Sequence, residues 1–383
     1  MKTIALLCEN SREYGRELLK GVAHYALERR DWQLRHLSPS DIKCKSMLSG
    51  VDGIIARIID PKSIARLKAS KLPIVDAICE HDDSSLIAVD NDCMEIGRRA
   101  AEHFLRRGFR NFAYCGYKGT RYSDDRFKAF SHTLSAANFH CNEFHDFEPP
   151  TNAIFFNEET KPPRNHRRIA SWISSLPPRT ALFCANDLRA YQVLRICQDI
   201  GRDIPRDIAV LGVDNDTILC SFASIALSSI DPNAFGVGYV AARLMNTAIN
   251  EGFSRKKRPV FKVKPRQLVE RQSTAVFPVD PSWLAMALEY IEVNVECPLS
   301  VADVATHVGI SQTALQNAFH ASFGKSAWKY IMGVKMNEAK RLLDGGTLRV
   351  KEVAARTGFT SHPHFSRAYR THFGQPPTRQ LRR

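Results

Sequence analysis

The sequence lacks any apolar run long enough to cross a membrane, and this excludes an ordinary membrane-spanning protein. Its first residues, MKTIALLCENSREYGREL, contain a short apolar stretch that meets charged residues too soon for a secretory signal, and no small-residue cleavage site follows. That stretch is better interpreted as a buried strand. We therefore expect a cytoplasmic protein with no membrane partner.

Cysteine is present, but it lacks the spacings of cross-linked or metal-stabilised domains. The ten cysteines include no Cys-x-x-Cys pair and no finger spacing. We expect reduced, mostly buried thiols, because cytosolic proteins seldom keep disulfides. The sequence therefore predicts neither a disulfide framework nor a metal site.

The motifs of common enzyme classes are missing as well. The sequence has no G-x-S-x-G, no Walker loop, no H-E-x-x-H and no G-x-G-x-x-G. Its adjacent acids, such as Asp124-Asp125, do not by themselves place an acid and a base on opposite sides of a substrate. The sequence predicts no enzyme, no catalytic residue and no cofactor; a sugar-processing enzyme or a transport receptor is the alternative from a different functional class.

Length and charge limit the possibilities further. A chain of 383 residues with 44% hydrophobic and 25% charged residues is typical of soluble globular material in two or three domains. The formal net charge of +14 favours a polyanionic partner, although basic charge alone also suits solubility.

A helix-turn-helix pattern occurs twice in the C-terminal part, over residues 301–324 and 350–374. In each copy an alanine, Ala305 or Ala354, stands four residues before a glycine that can end the first helix in a left-handed conformation. Ser311 and Ser361 then stand where an N-cap should accept the free N–H groups of the next helix.

The second helix of each copy has one apolar stripe and one polar face. Leu315 and Phe319 form the stripe in the first copy, and Phe365 and Tyr369 form it in the second. The opposite faces carry side chains that can reach base edges or phosphates. The residues predicted to contact DNA are Ser311, Gln312, Thr313, Gln316, Asn317, His320, Ser361, His362, His364, Ser366, Arg367 and Arg370.

An ordinary helical bundle with polar surfaces is the alternative for this segment. Two copies with the same buried pattern in a basic segment disfavour it. Residues 281–383, including FGQPPTRQLRR, resemble the DNA-binding domain of AraC-type transcription regulators. The resemblance implies that each second helix enters one of two successive major-groove segments of double-stranded DNA.

Upstream of about residue 275, short β-branched strands alternate with amphipathic helical stretches. Strands are predicted over 3–8, 53–56, 73–77, 86–89, 111–115, 181–184 and 208–213. Helices are predicted over 12–28, 95–106, 126–137, 188–200 and 235–250. This alternation predicts parallel sheets covered by helices. Because the pattern restarts near residue 111, we expect two lobes, one formed by 1–110 and 233–271 and the other by 111–232.

Polar clusters follow several of these strands, where open α/β sheets bind ligands. The bland interpretation is that such residues only cap the next helix. Several clusters together favour a polar cleft. The residues predicted to contact a ligand are Ser11, Arg12, Tyr14, Arg16, Asp90, Tyr122, Arg126, Asn186, Asp187 and Asp214.

The segment CANDLRAYQVLRICQDIGRDIPRDIAVLGVDN resembles the effector-binding domain of LacI-type repressors and periplasmic sugar-binding proteins. DDRFKAF is similar to their Arg-x-x-Gly-Phe element, with Ala129 replacing the glycine. The likeness covers about residues 1–270. It implies that five of the predicted residues contact a sugar, namely Asp90, Arg126, Asn186, Asp187 and Asp214.

The fold expected is therefore an α/β, two-lobed, periplasmic-binding-protein-like sensor followed by an all-α domain with two helix-turn-helix motifs over 282–383. This arrangement resembles the D-xylose-responsive activators of bacterial sugar operons. The resemblance implies a transcription activator with D-xylose as effector, DNA and RNA polymerase as partners, and a homodimer. Another sugar as effector and a degenerate pocket stay open.

Two connecting segments have less definite meaning. Residues 272–281, QSTAVFPVDP, contain two prolines without an amphipathic period and predict a semi-rigid linker. The basic run over 255–266 either contacts DNA phosphates or, as we favour, forms a solvated turn and strand edge.

Overall fold

The computed structural model describes residues 1–37, 45–57, 61–80, 86–146, 165–252, 260–346 and 348–379. The chain divides into two compact units. The first unit comprises Met1–Phe104 and Arg110–Ala275, and the second comprises Leu105–Phe109 and Val276–Arg383. The linker over 272–281 and the domain limits at 271 and 282 stay predictions.

The described part of the first unit contains two six-stranded sheets. Their strands are β1 (Lys2–Leu7), β2 (Trp32–His36), β3 (Gly53–Ala56), β4 (Ile74–Asp76), β5 (Ile87–Asn91), β6 (Asn111–Tyr117), β7 (Cys141–Asp146), β8 (Thr180–Cys184), β9 (Ile208–Val213), β10 (Ser228–Ile230), β11 (Phe261–Val263) and β12 (Leu268–Val269). The first sheet has the order β11-β5-β4-β3-β1-β2, and the second has the order β12-β10-β9-β8-β6-β7. We call the parts built on them the first and second lobe.

Pairing in both sheets is parallel except between β10 and β12. The central strands β3, β8 and β9 are buried throughout, as strands with helices on both faces should be. The α/β prediction with parallel sheets is confirmed. Strand β12 belongs to the second sheet, although the sequence analysis assigned its residues to the first lobe, because β12 pairs antiparallel with β10.

The helices of the whole described chain follow in order. They are α1 (Glu13–Arg29), α2 (Pro61–Ala69), α3 (Cys93–Arg107), α4 (Arg121–Ala136), α5 (His166–Ser175), α6 (Asp187–Asp199), α7 (Thr217–Phe222), α8 (Ala234–Asn250), α9 (Ser282–Val293), α10 (Val301–His307), α11 (Gln312–Phe323), α12 (Ala327–Asp344), α13 (Val350–Arg356) and α14 (His362–Phe373). None of them, in the part of the chain that is described, is both long and apolar enough to span a bilayer.

Helices α1 and α8 pack closely beside the first sheet because small residues line their contact. A Cβ atom at Gly238 would lie 1.9 Å from the carbonyl oxygen of Leu18, and one at Gly21 would lie 2.0 Å from that of Phe235. Since real Cβ atoms do not approach oxygen so closely, both positions require glycine. This packing buries Val22 and Val237 completely.

The second unit is helical and contains two hydrophobic clusters. The first cluster joins α9, α10, α11 and the N-terminal half of α12, around Leu315, Phe319 and Ile331. The second joins the C-terminal half of α12 with α13 and α14, around Phe365 and Tyr369. Each helix-turn-helix motif therefore has its own core, and α12 contributes to both. The prediction of a duplicated helix-turn-helix domain is confirmed.

Candidate ligand cleft and DNA-recognition helices

The carboxyl ends of the two sheets bring charged side chains of both lobes together. Asp214 follows β9 of the second lobe, and its carboxylate interacts electrostatically with Arg126, Arg57 and Arg12. Arg12 follows β1 and Arg57 follows β3, so both arginines come from the first lobe. This is the edge at which open parallel sheets bind ligands.

Asp214 has a strained backbone conformation, and burial disfavours the charged form of its carboxyl group. Its φ is 117°, a conformation that residues other than glycine keep only where the surroundings enforce it. Burial raises the pKa of Asp214 to about 6, while the positive charges of Arg126, Arg57 and Arg12 act in the opposite direction. None of the described residues donates a hydrogen bond to its carboxylate. The carboxylate is therefore available to accept hydrogen bonds from a ligand.

Asp187 holds the loop that carries Asp214. Its Oδ2 accepts from the N–H of Asp216 at 2.8 Å, and its Oδ1 accepts from Ser229 Oγ at 2.6 Å. A Cβ atom at Gly212 would lie 2.1 Å from Oδ1, so the neighbouring strand requires glycine there. Burial, together with the negative charge of Asp214, raises the pKa of Asp187 to about 7. We infer a supporting role for this fully buried carboxylate.

Arg126 is buried, with 3% of its surface exposed, and is fixed from two sides. Its Nη1 donates to the carbonyl oxygen of Ala185, and its guanidinium lies 5.0 Å from the centre of the Tyr122 ring. Asn186 Nδ2 approaches Tyr122 Oη at 3.5 Å, while its Oδ1 caps α6 by accepting from the Arg189 N–H. Among the described residues, Arg126 Nε has no hydrogen-bond acceptor. This buried donor can serve a ligand oxygen.

The first lobe supplies a matching arginine and tyrosine. The Arg57 guanidinium lies 4.6 Å from the centre of the Tyr14 ring and forms an ion pair with Glu9. Tyr14 Oη donates to Asn91 Oδ1 at 2.7 Å. A Cβ atom at Gly15 would lie 1.9 Å from Glu9 Oε2, so that glycine lets the carboxylate pack against α1. Arg57 and Glu9 are not among the contacts predicted from the sequence, although Arg57 stands directly after a predicted strand.

Asp90 is neutralised within the protein. Its Oδ2 accepts from Lys262 Nζ at 2.9 Å, and its Oδ1 accepts from the Asn91 N–H at 2.7 Å. Lys262 belongs to the basic run of the sequence, and Arg266 of the same run approaches Asp231 at 3.8 Å. Residues 255–259 of that run lie outside the described residues. Of the three described basic side chains of the run, those of Lys262 and Arg266 thus have acidic partners in the first unit.

The side chain of Arg16, a predicted ligand contact, is held by residues at the start of its own helix. Arg16 donates to the carbonyl oxygen of Ser11 at 2.6 Å and forms an ion pair with Glu13 at 2.8 Å. Ser11 is exposed, and Arg12 is the N-cap residue of α1. Of Ser11, Arg12 and Arg16, we therefore expect Arg12 to contact a ligand, because its positive charge interacts electrostatically with Asp214.

The recognition helices of the second unit, α11 and α14, present mostly exposed polar side chains. The residues that are exposed are Ser311, Gln312, Thr313, Asn317, His320, Ser361, His362, His364, Arg367 and Arg370. Ser366 is half-buried. Gln316 is half-buried as well, and its Oε1 accepts from the N–H of Ala327 at 3.0 Å. Their contact with DNA stays a prediction.

The caps of these two helices differ. Ser311 Oγ accepts from the N–H of Ala314 at 3.1 Å, as predicted. Ser361 makes no side-chain cap hydrogen bond, so the prediction that it caps α14 is wrong. A capping oxygen accepts from the second or third residue of the helix, and the second is Pro363, which has no N–H.

The raised pKa values of Asp187 and Asp214 predict that the first unit loses stability as pH rises. Both carboxyls keep a proton in the folded state that the unfolded chain releases near its ordinary pKa of 3.8. The folded state therefore binds more protons between about pH 4 and about pH 7, and the free energy of unfolding falls across this interval.

Urea unfolding of the protein at several pH values measures this slope. Asp214→Asn should reduce the slope, whereas Asp203→Asn, at a carboxylate that is 54% exposed, should leave it unchanged. Equal slopes for wild type and Asp214→Asn would contradict the assignment.

Both units are similar to known protein families. Residues 101–274 match the family described as periplasmic binding protein-like domain, and residues 304–383 match the family described as helix-turn-helix domain. The chain is 25% identical to the xylose operon regulatory protein of Escherichia coli (strain K12), over 98% of this chain and 95% of that protein. It is 23% identical to the protein of the same name from Haemophilus influenzae, over 98% and 96%.

A solved structure of the xylose-binding transcription activator xylR has the same fold, with a TM-score of 0.60 and 22% identity over 99% of this chain and 97% of that chain. The matched families occupy the first and second units in the order that the sequence predicted. The chain therefore contains a periplasmic binding protein-like domain followed by a helix-turn-helix domain, and it is similar to xylose operon regulatory proteins over nearly its whole length.

Proposed function

We propose that this regulator binds D-xylose in the cleft of its first unit and, in response, activates genes of pentose catabolism. The observation that carries the proposal is the similarity to xylose operon regulatory proteins over 98% of the chain, which includes both units. We propose that it acts by binding DNA and sugar and performs no catalytic step. We place it in the cytoplasm.

The chemistry of the cleft suits a small polyol. The Asp214 carboxylate can accept from adjacent hydroxyls, and the buried Nε of Arg126 can donate to a ring or hydroxyl oxygen. Tyr122 and Tyr14 lie beside the two stacked arginines and offer apolar surface to a sugar ring. A few fixed polar groups in a concave site give orientation and selectivity.

Ligand binding should favour the closed arrangement of the two lobes. The Glu13 N–H of the first lobe donates to Asp216 Oδ2 of the second lobe at 3.3 Å, so the lobes already meet beside Asp214. A sugar that contacts Arg57 and Asp214 together stabilises this arrangement, because it binds the closed state better. We propose that closure changes a homodimer interface and thereby the spacing of two helix-turn-helix units on DNA, where they recruit RNA polymerase.

Titration calorimetry with D-xylose, L-arabinose, D-ribose and D-glucose measures which of these sugars the protein binds most tightly. We expect D-xylose to bind most tightly and without conversion. Arg126→Ala and Asp214→Ala should each weaken binding at least about thirtyfold, since an unpaired buried partner costs about 2 kcal/mol. Arg16→Ala is the matched control, because Glu13 and Ser11 already hold that guanidinium. If both cleft variants bind the sugar as tightly as the wild type, the assignment of the binding site is wrong. If another sugar binds more tightly than D-xylose, that sugar is the effector.

Binding to DNA is tested with a duplex selected from a random library by the full-length protein. Arg367→Ala should weaken binding by about 1–3 kcal/mol if the side chain contacts a base edge, and the affinity of the wild type should fall steeply with salt. Arg341→Ala serves as control, because Glu338 binds this guanidinium at 2.7 Å on α12. If Arg367→Ala binds as tightly as the control at every salt concentration, Arg367 lies outside the interface.

A further inference from the structure

Lys335 lies in the middle of α12, the helix that connects the two helix-turn-helix motifs. Its side chain is buried, with 4% of the residue exposed. Its Nζ donates to three backbone carbonyl oxygens, those of Val295 at 2.9 Å, Cys297 at 2.6 Å and Thr357 at 2.9 Å. The ammonium group has three N–H donors, so all of them are used.

These acceptors come from the two different halves of the unit. In the first half, Val295 and Cys297 lie in the turn that follows helix α9, which ends at Val293. In the second half, Thr357 is the C-cap residue of helix α13, where a carbonyl group lacks a partner within its own helix and lies at the negative end of the helix dipole. One buried cation therefore donates to carbonyl groups from both halves at once.

A close backbone contact accompanies this lysine. Gly358, in the turn of the second motif, has φ 69°, and a Cβ atom on it would lie 2.2 Å from the Cys297 carbonyl oxygen and 2.6 Å from Lys335 Nζ. Gly309 is the equivalent residue of the first motif, with φ 70°, and nothing lies within 4 Å of its Cβ position. The second turn thus requires glycine for conformation and for space, whereas the first requires it for conformation alone.

The two halves otherwise have separate hydrophobic cores that share α12. Apolar packing is non-directional and tolerates small rotations of one core against another. Three hydrogen bonds from one ammonium group to fixed carbonyls are directional, since such bonds weaken when they bend. The contact at Lys335 therefore restricts how the second motif is placed relative to the first.

We propose that Lys335 is a positioning residue that sets the distance and angle between recognition helices α11 and α14, and so sets the base-pair spacing that the protein accepts between the two DNA segments it contacts. This inference rests on the proposed DNA-binding function. It assigns spacing selectivity to a buried lysine that does not itself touch DNA.

Two glycine variants give a matched test. Gly358→Ala and Gly309→Ala introduce the same side chain at nearly the same φ, so both carry the same backbone strain, but only Gly358→Ala disturbs Cys297 and Lys335. The probe is the duplex selected by the full-length protein, together with versions in which one base pair is inserted or removed between the two segments found by footprinting. Fluorescence anisotropy then gives the affinity of each protein for each duplex.

The wild type should bind the altered spacings about tenfold or more weakly than the selected duplex. Gly358→Ala should bind the selected duplex less tightly and lose most of this discrimination, while Gly309→Ala should keep it. Lys335→Met should behave as Gly358→Ala does, and Lys335→Arg, which retains charged donors, should restore discrimination at least in part. Lys329→Met, at an exposed position of the same helix, controls for the loss of one positive charge.

Thermal unfolding of each variant distinguishes a misplaced second motif from a loss of folded protein. The DNA affinities of the variants are therefore compared only at temperatures below their unfolding transitions. If Lys335→Met does not fold, the comparison of Gly358→Ala with Gly309→Ala still shows whether this contact sets the spacing that the protein accepts. Equal spacing discrimination in the two glycine variants overturns the proposal. A wild type that binds no duplex in the library contradicts the DNA-binding function itself, which distinguishes that failure from the failure of the positioning role.

Discussion

The Asp214 carboxylate lies in the field of Arg126 from its own lobe and of Arg57 and Arg12 from the other lobe, and the sensor depends on this arrangement. The loop that carries Asp214 is strained and is held in place by the buried carboxylate of Asp187. Charges of opposite sign on two lobes attract each other most strongly when water is excluded between them. On the proposed function, a bound polyol would complete their hydrogen bonds, so ligand binding and lobe closure would favour each other.

A similar principle governs the helix-turn-helix unit. Its two motifs bury equivalent apolar stripes, Leu315 with Phe319 and Phe365 with Tyr369, and these stripes decide that each motif folds. They do not decide how one motif is placed relative to the other. The polar contact around Lys335 is suited to that task because hydrogen bonds to fixed carbonyls have direction. In both units apolar burial builds the scaffold, and a buried charge specifies the geometry that function requires.

Much of the scaffold could be predicted from the sequence because its signals are local. Strands 53–56 and 208–213 are predicted to the residue, since each is a continuous apolar run. Strands β2 and β7 are missing from the prediction, because these edge strands expose many of their residues and have no apolar run. Strand β12 was assigned to the wrong lobe because two residues carry no pattern that specifies their partner.

The site was only partly predictable, because its contacts join distant segments. Asp214, Arg126 and Tyr122 lie together, and strand ends together with resemblance pointed to all three. Arg57 was missed because a single arginine after a strand is an ordinary feature, and its pairing with Glu9 spans 48 positions. Gln316 and Arg16 look like surface side chains in the sequence, yet one accepts from Ala327 and the other pairs with Glu13. The Gln316 hydrogen bond joins two helices and leaves no trace in periodicity, whereas the pair of Arg16 with Glu13 is an i,i+3 contact within one helix, which their spacing allows.

The most direct test of the whole account is the reciprocal linkage between sugar and DNA. The affinity for the selected duplex is measured with and without saturating D-xylose, and the affinity for D-xylose is measured with and without the duplex. The account predicts that both affinities change by the same factor, about fivefold or more. Two affinities that are each independent of the other ligand would contradict it.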